Sequence, residues 1–406
     1  MSNNYCGDIP NQKPSTIKVQ MIKYTELRKR YEMDGAEKTV RHLGDALKKK
    51  ELRAEDFSIR DLAEGLIPGG HHWIRELDPR NGGTVVMESD GIDMTAFKNV
   101  SKQIVFSKIL ESYGQEVFVA SKIVDTIPTR MDGEKLPSSS GIHDTTMEVK
   151  PGMPYPNVGF AEDYVDTPST SKYGLIVPVT KEAVYFDRTH LILSRAAEVG
   201  EVLARNKEKR ILDTILGITN TYKWKGKEYN TYYSSATDPF FNSLAGNSLS
   251  DWQSIENAEN MLANMSDPVT KEPILVEPDT VLIMPQKRGV AHRLFNASEV
   301  SYGSAGFDTT MTAIPNPFKK YNVVSSRLAY RRLQDSGVSV ANSAEYWYFG
   351  NFKKAFAYME NWPITVTQSP VGSEADFNRD ILVRFKASER GVPAVLNPRY
   401  VVKCTS

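Results

Sequence analysis

The chain has 406 residues, and its 50 basic and 50 acidic side chains give a formal net charge of zero. Hydrophobic residues make up 40% of it and charged residues 25%, which is typical of soluble globular proteins and leaves room for two or three domains. A neutral surface provides no overall affinity for polyanions, and no apolar run approaches the roughly 18 residues of a membrane span. No secretory signal is predicted at the N-terminus, so we expect the chain to remain in the cytoplasm.

The N-terminal region is polar at first and then becomes helical. Residues 1–33 predict a loosely held tail. Apolar residues between 40 and 47 share one helical face, and Ser58 is the expected N-cap of a second amphipathic helix that runs to Ile67. Because each apolar face is small, we expect both helices to pack on something larger, such as a neighbouring subunit.

A long loop is predicted between two strands. Residues 104–110 predict a short helix or strand, β-branched residues at 116–127 predict a strand, and 175–180 predict its return partner. The segment between these strands is rich in Pro, Gly, Ser and Thr, which is typical of a binding arm or a disordered segment. It carries apolar groups that an isolated arm could not bury, and we expect them to contact another molecule. These groups are Tyr155, Phe160, Tyr164 and Val165.

The run from Asp187 to Gly217 is the longest helical pattern in the chain. Asp187 is the predicted N-cap and Gly217 the predicted residue after the C-cap, which gives about 29 helical residues and a rod of roughly 43 Å. Apolar residues at spacings of three, four or eight predict one buried stripe. The stripe consists of Ile192, Ala196, Val199, Leu203, Ile211 and Ile215. We expect the remaining charges to form a solvated face or an interface, namely Arg195, Glu198, Glu201, Arg205, Glu208 and Lys209.

Helices and strands alternate in the last half of the chain, which favours an α/β or α+β domain. Ser250 is the predicted N-cap of a helix, and 280–284 predicts a buried strand followed by a helix over 286–295. Residues 346–359 predict a strand pair around a Gly-Asn turn. Two further strands are predicted between residue 377 and the C-terminus.

Taken in order, three stretches resemble the major capsid protein of tailed bacteriophages, which has the Hong Kong 97-type fold. They are Val177–Gly217, Phe349–Val366 and Phe377–Val402, and the resemblance covers roughly residues 85–406. It implies an α+β fold with a long spine helix, an extended E-loop hairpin, a central axial domain and a peripheral domain. The implied segments are an N-terminal extension with short helices (1–84), an N-arm (85–115), the E-loop and flanking strands (116–182), the peripheral domain with the spine helix (183–224), the axial domain (225–365) and the C-terminal strands of the peripheral domain (366–406).

The resemblance also implies a function. Such a subunit self-assembles into hexamers and pentamers that form an icosahedral shell around double-stranded DNA, within a virion assembled in the host cytoplasm. The implied partners are further copies of the chain, packaged DNA held by nonspecific contact, and scaffold, portal and decoration proteins. No enzyme activity, catalytic residue, cofactor, metal or membrane partner is implied. Some relatives crosslink an E-loop lysine to a neighbour, and Lys135, Lys150 and Lys172 lie in the corresponding loop.

Other functional patterns are weak. His71-His72 could form a metal pair, but no further ligand lies at the required spacing, and an anchored turn is the simpler interpretation. The histidines form no HExxH motif, and there is no phosphate-binding loop. Cys6 and Cys404 are expected to be free thiols. Two alternatives stay open: the shell of an encapsulin-like compartment, and a soluble oligomeric enzyme with an unrecognised site in the central domain.

Overall fold

The computed structural model describes residues 24–67, 70–76, 91–114, 118–137, 163–235, 238, 240–267, 271–303, 311–369 and 380–406. No helix in these ranges is both long and apolar enough to cross a membrane. The helices are α1 Tyr24–Asp34, α2 Ala36–Lys48, α3 Ile59–Leu66, α4 Gly70–Glu76, α5 Gly91–Tyr113, α6 Ala120–Ile123, α7 Lys181–Tyr185, α8 Thr189–Ile215, α9 Trp252–Ala263, α10 Arg288–Asn296, α11 Arg327–Asp335, α12 Val340–Glu345 and α13 Phe352–Ala355. The strands are β1 Asp125–Pro128, β2 Lys135–Pro137, β3 Tyr164–Asp166, β4 Ser171–Thr180, β5 Tyr222–Trp224, β6 Lys227–Tyr229, β7 Ser243–Leu244, β8 Thr280–Ile283, β9 Glu299–Gly303, β10 Met311–Pro315, β11 Asn322–Ser325, β12 Trp347–Gly350, β13 Phe356–Gln368, β14 Ile381–Val395 and β15 Val401–Cys404.

The chain forms two compact units, and the α+β class predicted from the resemblance is confirmed. The first unit comprises residues 1–115, 173–204 and 363–389. The second unit comprises residues 116–172, 205–362 and 390–406. Helix α8 and strands β4, β13 and β14 each contribute residues to both units.

The N-terminal helices belong to the core of the first unit. Helix α3 contacts α1 and α5, and its Leu62 and Leu66 are fully buried. Ser58 accepts a hydrogen bond from the Asp61 backbone N–H, so the predicted N-cap is confirmed. The prediction of a loose tail is wrong for residues 24–33, which are helical and bury Leu27. These apolar faces pack within their own unit, so they do not need a neighbouring subunit to cover them.

Helix α5 is the principal partner of these N-terminal helices. The sequence predicted only a short helix or strand at 104–110, whereas residues 91–113 form one helix. Phe97, Val100 and Ile104 of this helix are buried in the first unit. These three residues share one face, but Phe106 and Leu110 place apolar groups on the opposite side of α5, so no single amphipathic stripe marks its length.

Helix α8, the predicted spine helix, begins at Thr189, one residue after the first helical residue that an N-cap at Asp187 would give. Asp187 is not its N-cap, because this residue has a left-handed backbone with φ 48° and its carboxylate accepts from the hydroxyls of Ser58 and Thr189, both at 2.8 Å. At the other end, Gly217 has φ 72°. The Ile218 N–H donates to the Asp213 carbonyl, which is the bond that defines a Schellman cap.

The predicted apolar stripe of α8 faces inward. Val199 is half-buried, and the other members are almost completely buried; they are Ile192, Ala196, Leu203, Ile211 and Ile215. In the first unit, α8 passes very close to α5 at Gly200. A Cβ atom on Gly200 would lie 2.4 Å from the Ile109 carbonyl oxygen and 2.2 Å from the Ser112 hydroxyl. Only glycine therefore allows this approach of the two helices.

The strand predicted over 116–127 is wrong over most of its described length. Residues 120–123 form the short helix α6, and only β1, which begins at Asp125, is extended. The cause is Glu208 of α8, whose side chain is 1% exposed. Its carboxylate accepts from the backbone N–H groups of Val119 at 2.8 Å, Ala120 at 2.6 Å and Ser121 at 3.1 Å. These are the donors that a helix N-terminus leaves unpaired, so Glu208 is a buried cap and not part of a solvated face.

The two predicted loop strands also have different partners from those expected. The order of the four-stranded sheet is β1-β13-β14-β4, so β1 and β4 occupy opposite edges instead of pairing with each other. β1 runs parallel to β13, from Asp125 opposite Ala357 to Pro128 opposite Glu360. The sequence pattern identified both strands but could not identify their partners, because these partners lie more than 150 residues away along the chain.

A five-stranded sheet forms the centre of the second unit, in the order β11-β8-β12-β15-β7. Strand β8 is fully buried, as predicted from its sequence. Val281 and Ile283 pack in one apolar cluster with α9 and α10, whereas Leu282 packs on the opposite face with α11 and the end of α8. Both faces of this sheet are therefore covered by helices, which explains why the strand is continuously apolar.

The predicted hairpin at 346–359 is wrong, because β12 and β13 lie in different sheets. Asn351 caps α13 by accepting from the Lys354 N–H instead of completing a two-residue turn. Gly350, with φ 149°, lies against the chain before β15, where a Cβ atom would be 2.1 Å from the Tyr400 carbonyl oxygen. A smaller correction applies to α9, whose N-cap is Asp251 and not Ser250.

We predict that Gly200→Ala lowers the free energy of unfolding by about 1–3 kcal/mol, although alanine is the better helix former by about 1 kcal/mol. The added methyl group would collide with the Ile109 carbonyl, which is backbone and cannot rotate away. Urea denaturation followed by circular dichroism checks this. Gly289→Ala in α10 is the control, since a Cβ there meets nothing within 4 Å and should be neutral or stabilising. Equal stability of the two variants would contradict the close approach.

A second prediction concerns Glu208. Glu208→Ala should cost about 2–4 kcal/mol of stability, because it leaves buried backbone N–H groups without an acceptor. Hydrogen exchange should become faster at residues 119–121. Glu198→Ala, on the exposed side of the same helix, should change stability by no more than about 0.5 kcal/mol. Slow exchange at 119–121 in the Glu208 variant would show that the carboxylate is not the cap.

Candidate assembly interface

The stem of the predicted E-loop is a short antiparallel strand pair in the second unit. Strand β2 pairs with β3, with Leu136 opposite Val165 and Pro137 opposite Tyr164. β3 in turn pairs with β5, and the complete sheet has the order β2-β3-β5-β6. The two ends of the loop therefore leave the second unit side by side. Residues 138–162 lie outside the described part of the chain, and with them the predicted contact residues Tyr155 and Phe160.

The other two predicted contact residues are neighbours on β3 but have different surroundings. The side chain of Val165 is 2% exposed and packs in the core of the second unit, which leaves it no surface for a neighbouring subunit. Tyr164 is half-buried, and the Lys135 ammonium lies 4.4 Å from the centre of its ring. Alternation along the strand explains the difference, since successive side chains point to opposite faces. Of this pair, only Tyr164 retains exposed surface.

Polar contacts fix the stem where it joins the second unit. The Asp132 carboxylate accepts from the backbone N–H of Thr170 at 2.7 Å and from its hydroxyl at 2.9 Å. Arg390 donates to the Thr170 hydroxyl at 2.8 Å and lies 3.3 Å from Asp132. The hydrogen bonds from Thr170, followed by the charge of Arg390, hold the pKa of Asp132 below its usual value. The carboxylate thus remains ionised, as these contacts require.

A second group of hydrogen bonds joins the two sides of the stem. The Glu134 N–H donates to the Thr167 hydroxyl at 2.8 Å, and the Thr129 hydroxyl donates to the Glu134 carboxylate at 2.7 Å. The Asn361 amide of β13 donates to the carbonyls of Thr129 and Met131, at 3.2 and 3.1 Å. These hydrogen bonds hold the base of the loop to the rest of the second unit.

Large apolar side chains are exposed at several positions that sequence analysis did not single out. In the stem, Met131 is 63% exposed. In the first unit, the adjacent residues Leu175 and Ile176 of β4 are 38% and 52% exposed. The other exposed large apolar residues after residue 180 are Phe186, Leu191, Val202, Leu275 and Val340. The sequence did carry a signal at Leu175-Ile176, because two successive apolar residues on a strand cannot both face one core.

The remaining candidate residues have ordinary structural surroundings. His71 lies within α4, not in a turn, and its Nδ1 is 3.0 Å from the Glu64 carboxylate. No group of three or more possible metal ligands occurs among the described residues.

Cys404 is a buried free thiol, and burial raises its pKa to about 12, so it is unreactive. Of the loop lysines, Lys172 lies 5.8 Å from the Trp362 ring centre, and Lys150 lies outside the described ranges.

Several basic residues that could face nucleic acid are already paired. Arg332 of α11 donates through Nε and one terminal nitrogen to the two carboxylate oxygens of Asp213, both at 2.7 Å. Arg331 pairs with Asp335 at 3.2 Å. A bidentate pair of this kind is strong and holds α11 to the end of α8. These arginines therefore contribute little net positive charge to the surface.

The comparisons with known proteins agree with one another. Residues 164–404 match the family model described as Phage capsid protein. Among solved structures, the virus-like particle of Pyrococcus furiosus aligns at 12% identity over 74% of this chain and 97% of that one, with a TM-score of 0.40. The capsid of the empty GTA particle aligns at 10% identity, 72% and 90% coverage and a TM-score of 0.44. Mycobacterium phage Bobi aligns at 14% identity, 70% and 89% coverage and a TM-score of 0.38.

The family assignment rests on the sequence match, since all three TM-scores are below 0.5. No curated protein matches the chain in sequence. The matched residues include strand β3 of the loop stem, helix α8 and the whole five-stranded sheet, and they end two residues before the C-terminus. Because this match extends over more than half of the chain, the protein belongs to the phage capsid protein family and is a self-associating structural subunit of a virion capsid.

Proposed function

We propose that this chain is the major capsid subunit of a tailed phage, with a Hong Kong 97-type fold, and that it assembles into hexamers and pentamers that tile an icosahedral shell around double-stranded DNA. The observation that carries the proposal is the family match over residues 164–404. The long helix α8, the loop stem at β2 and β3 and the five-stranded central sheet support it, because they are the parts that the resemblance predicts.

The mechanism is assembly through many modest contacts instead of a chemical step. The stem of the loop is held by Asp132, Glu134 and Thr170 within the subunit, before any neighbour arrives. Fixing the stem lowers the entropy that must be lost when the loop binds. The exposed side chain of Met131 and the exposed part of the half-buried Tyr164 then provide the favourable burial. We place assembly in the host cytoplasm, with scaffold, portal and decoration proteins as further partners.

Contact with DNA is proposed to be weak and independent of sequence. The chain has no net charge, and Arg331 and Arg332 are neutralised by carboxylates. Any attraction would therefore come from other, scattered basic residues and would weaken steeply as salt rises. Purified particles test this proposal against an encapsulin-like shell. Particles made in phage-producing cells should contain double-stranded DNA, whereas a constant protein cargo without nucleic acid would support the encapsulin alternative.

The loop provides a direct prediction. We expect that replacing residues 138–162 with a short Asn-Gly-containing turn leaves a folded subunit that cannot form closed shells. The turn is tolerated because Pro137 and Tyr164 are already paired across β2 and β3, and such dipeptides suit tight hairpins. Circular dichroism and thermal melting check the fold, and electron microscopy counts the shells.

The control for this replacement is Glu228→Ala on β6, an exposed position of the same sheet but outside the loop. It should assemble as the unmodified chain does. Closed shells formed in normal yield by the loop-replaced subunit would contradict the proposed role of the loop. A loop-replaced subunit that melts well below the control would show instead that the loop is needed for folding.

A further inference from the structure

Strand β4 lies at one end of its sheet. In the order β1-β13-β14-β4, β14 lies on one side of it, and no described strand lies on the other side. On the paired side the approach is tight, because a Cβ atom on Gly174 would lie 2.7 Å from the Ala387 carbonyl oxygen. The outer edge presents backbone N–H and C=O groups that a further strand could pair with.

The side chains at the middle of β4 are apolar and exposed on both faces of the sheet. Val177 and Val179 point into the core of the first unit and are 1% and 2% exposed. Leu175 lies on the same face by alternation but is 38% exposed, and Ile176 lies on the opposite face and is 52% exposed. The core of the first unit therefore covers neither of these two residues fully.

This edge lacks most of the features that keep edge strands from pairing. Natural edges are blunted by charged residues, bulges or prolines, whereas Gly174–Val179 carries no charge. Pro178 is the exception. It is compatible with an edge because it has no N–H to donate, and it limits the stretch available for pairing to Gly174–Val177.

We propose that the outer edge of β4 at Gly174–Val177 accepts a strand from a second copy of this chain. An added strand would satisfy the free backbone groups, and its side chains would cover Leu175 on one face and Ile176 on the other. An uncharged, apolar edge provides nothing that would select nucleic acid or a strongly charged protein. In a capsid lattice the molecules beside each subunit are further copies of it. The inference thus rests on the proposed function and identifies one contact between neighbouring subunits of the proposed shell.

Hydrogen exchange with mass spectrometry tests strand addition directly. Exchange would be measured on the full-length chain before assembly and in closed shells, for peptides covering 173–180. Alternate amides between Gly174 and Val177 point away from β14, and these should exchange about fivefold more slowly in shells, since one added hydrogen bond contributes about 1 kcal/mol. Peptides over β12, which is paired on both sides, should be unchanged.

Substitutions provide an independent readout. Ile176→Lys should leave the melting temperature of the subunit nearly unchanged, because the side chain is half exposed, but should reduce the yield of closed shells at least tenfold. Ile176→Thr, which keeps β-branching without charge, should assemble with a much smaller loss. Normal shells from Ile176→Lys, or wild-type shells whose amides at 174–177 exchange as fast as before assembly, would overturn the inference and leave the proposed function standing. Failure of the wild-type chain to form shells would contradict the proposed function itself.

Discussion

The buried carboxylate of Glu208 determines where the extended loop begins. It caps α6, and α6 leads directly into β1, which is held by β13 and followed by the stem residues 129–137. A carboxylate that is 1% exposed is costly to bury, and hydrogen bonds from the backbone of residues 119–121 offset that cost. The segment that leads into the loop is therefore held directly by helix α8.

A rigid stem matters for a shell because assembly depends on many weak contacts made at once. Each contact must gain more free energy than the ordering of its residues costs. The stem around Asp132 and Thr170 is held by hydrogen bonds within the subunit, so its ordering costs nothing further when a neighbour binds. Little ordering would also be needed at the exposed apolar residues of β4, because they already belong to a strand held by the core of the first unit.

Local signals in the sequence predicted the elements better than their arrangement. The stripe of α8, the cap at Ser58 and the buried strand β8 could be predicted, because each depends on residues close together in the chain. The partners of β1 and β4 could not be predicted, since the pairing of distant strands leaves no local trace. Glu208 was misinterpreted for a related reason. Its charged neighbours on α8 suggest a solvent-exposed face, whereas its burial depends on contacts with residues 119–121, which are distant in the sequence. For the proposed interface, composition could not show that alternation on β3 places Val165 inside the second unit.

The central claim is that many copies of this chain close into a shell, and single-particle electron microscopy of the full-length protein tests it most directly. The chain would be expressed alone and together with the scaffold protein of its own phage. The account predicts closed particles with six-fold and five-fold capsomers in at least one of the two preparations. A small, discrete oligomer in both, with a melting temperature that rises on adding a small-molecule ligand, would contradict the account and favour an enzyme.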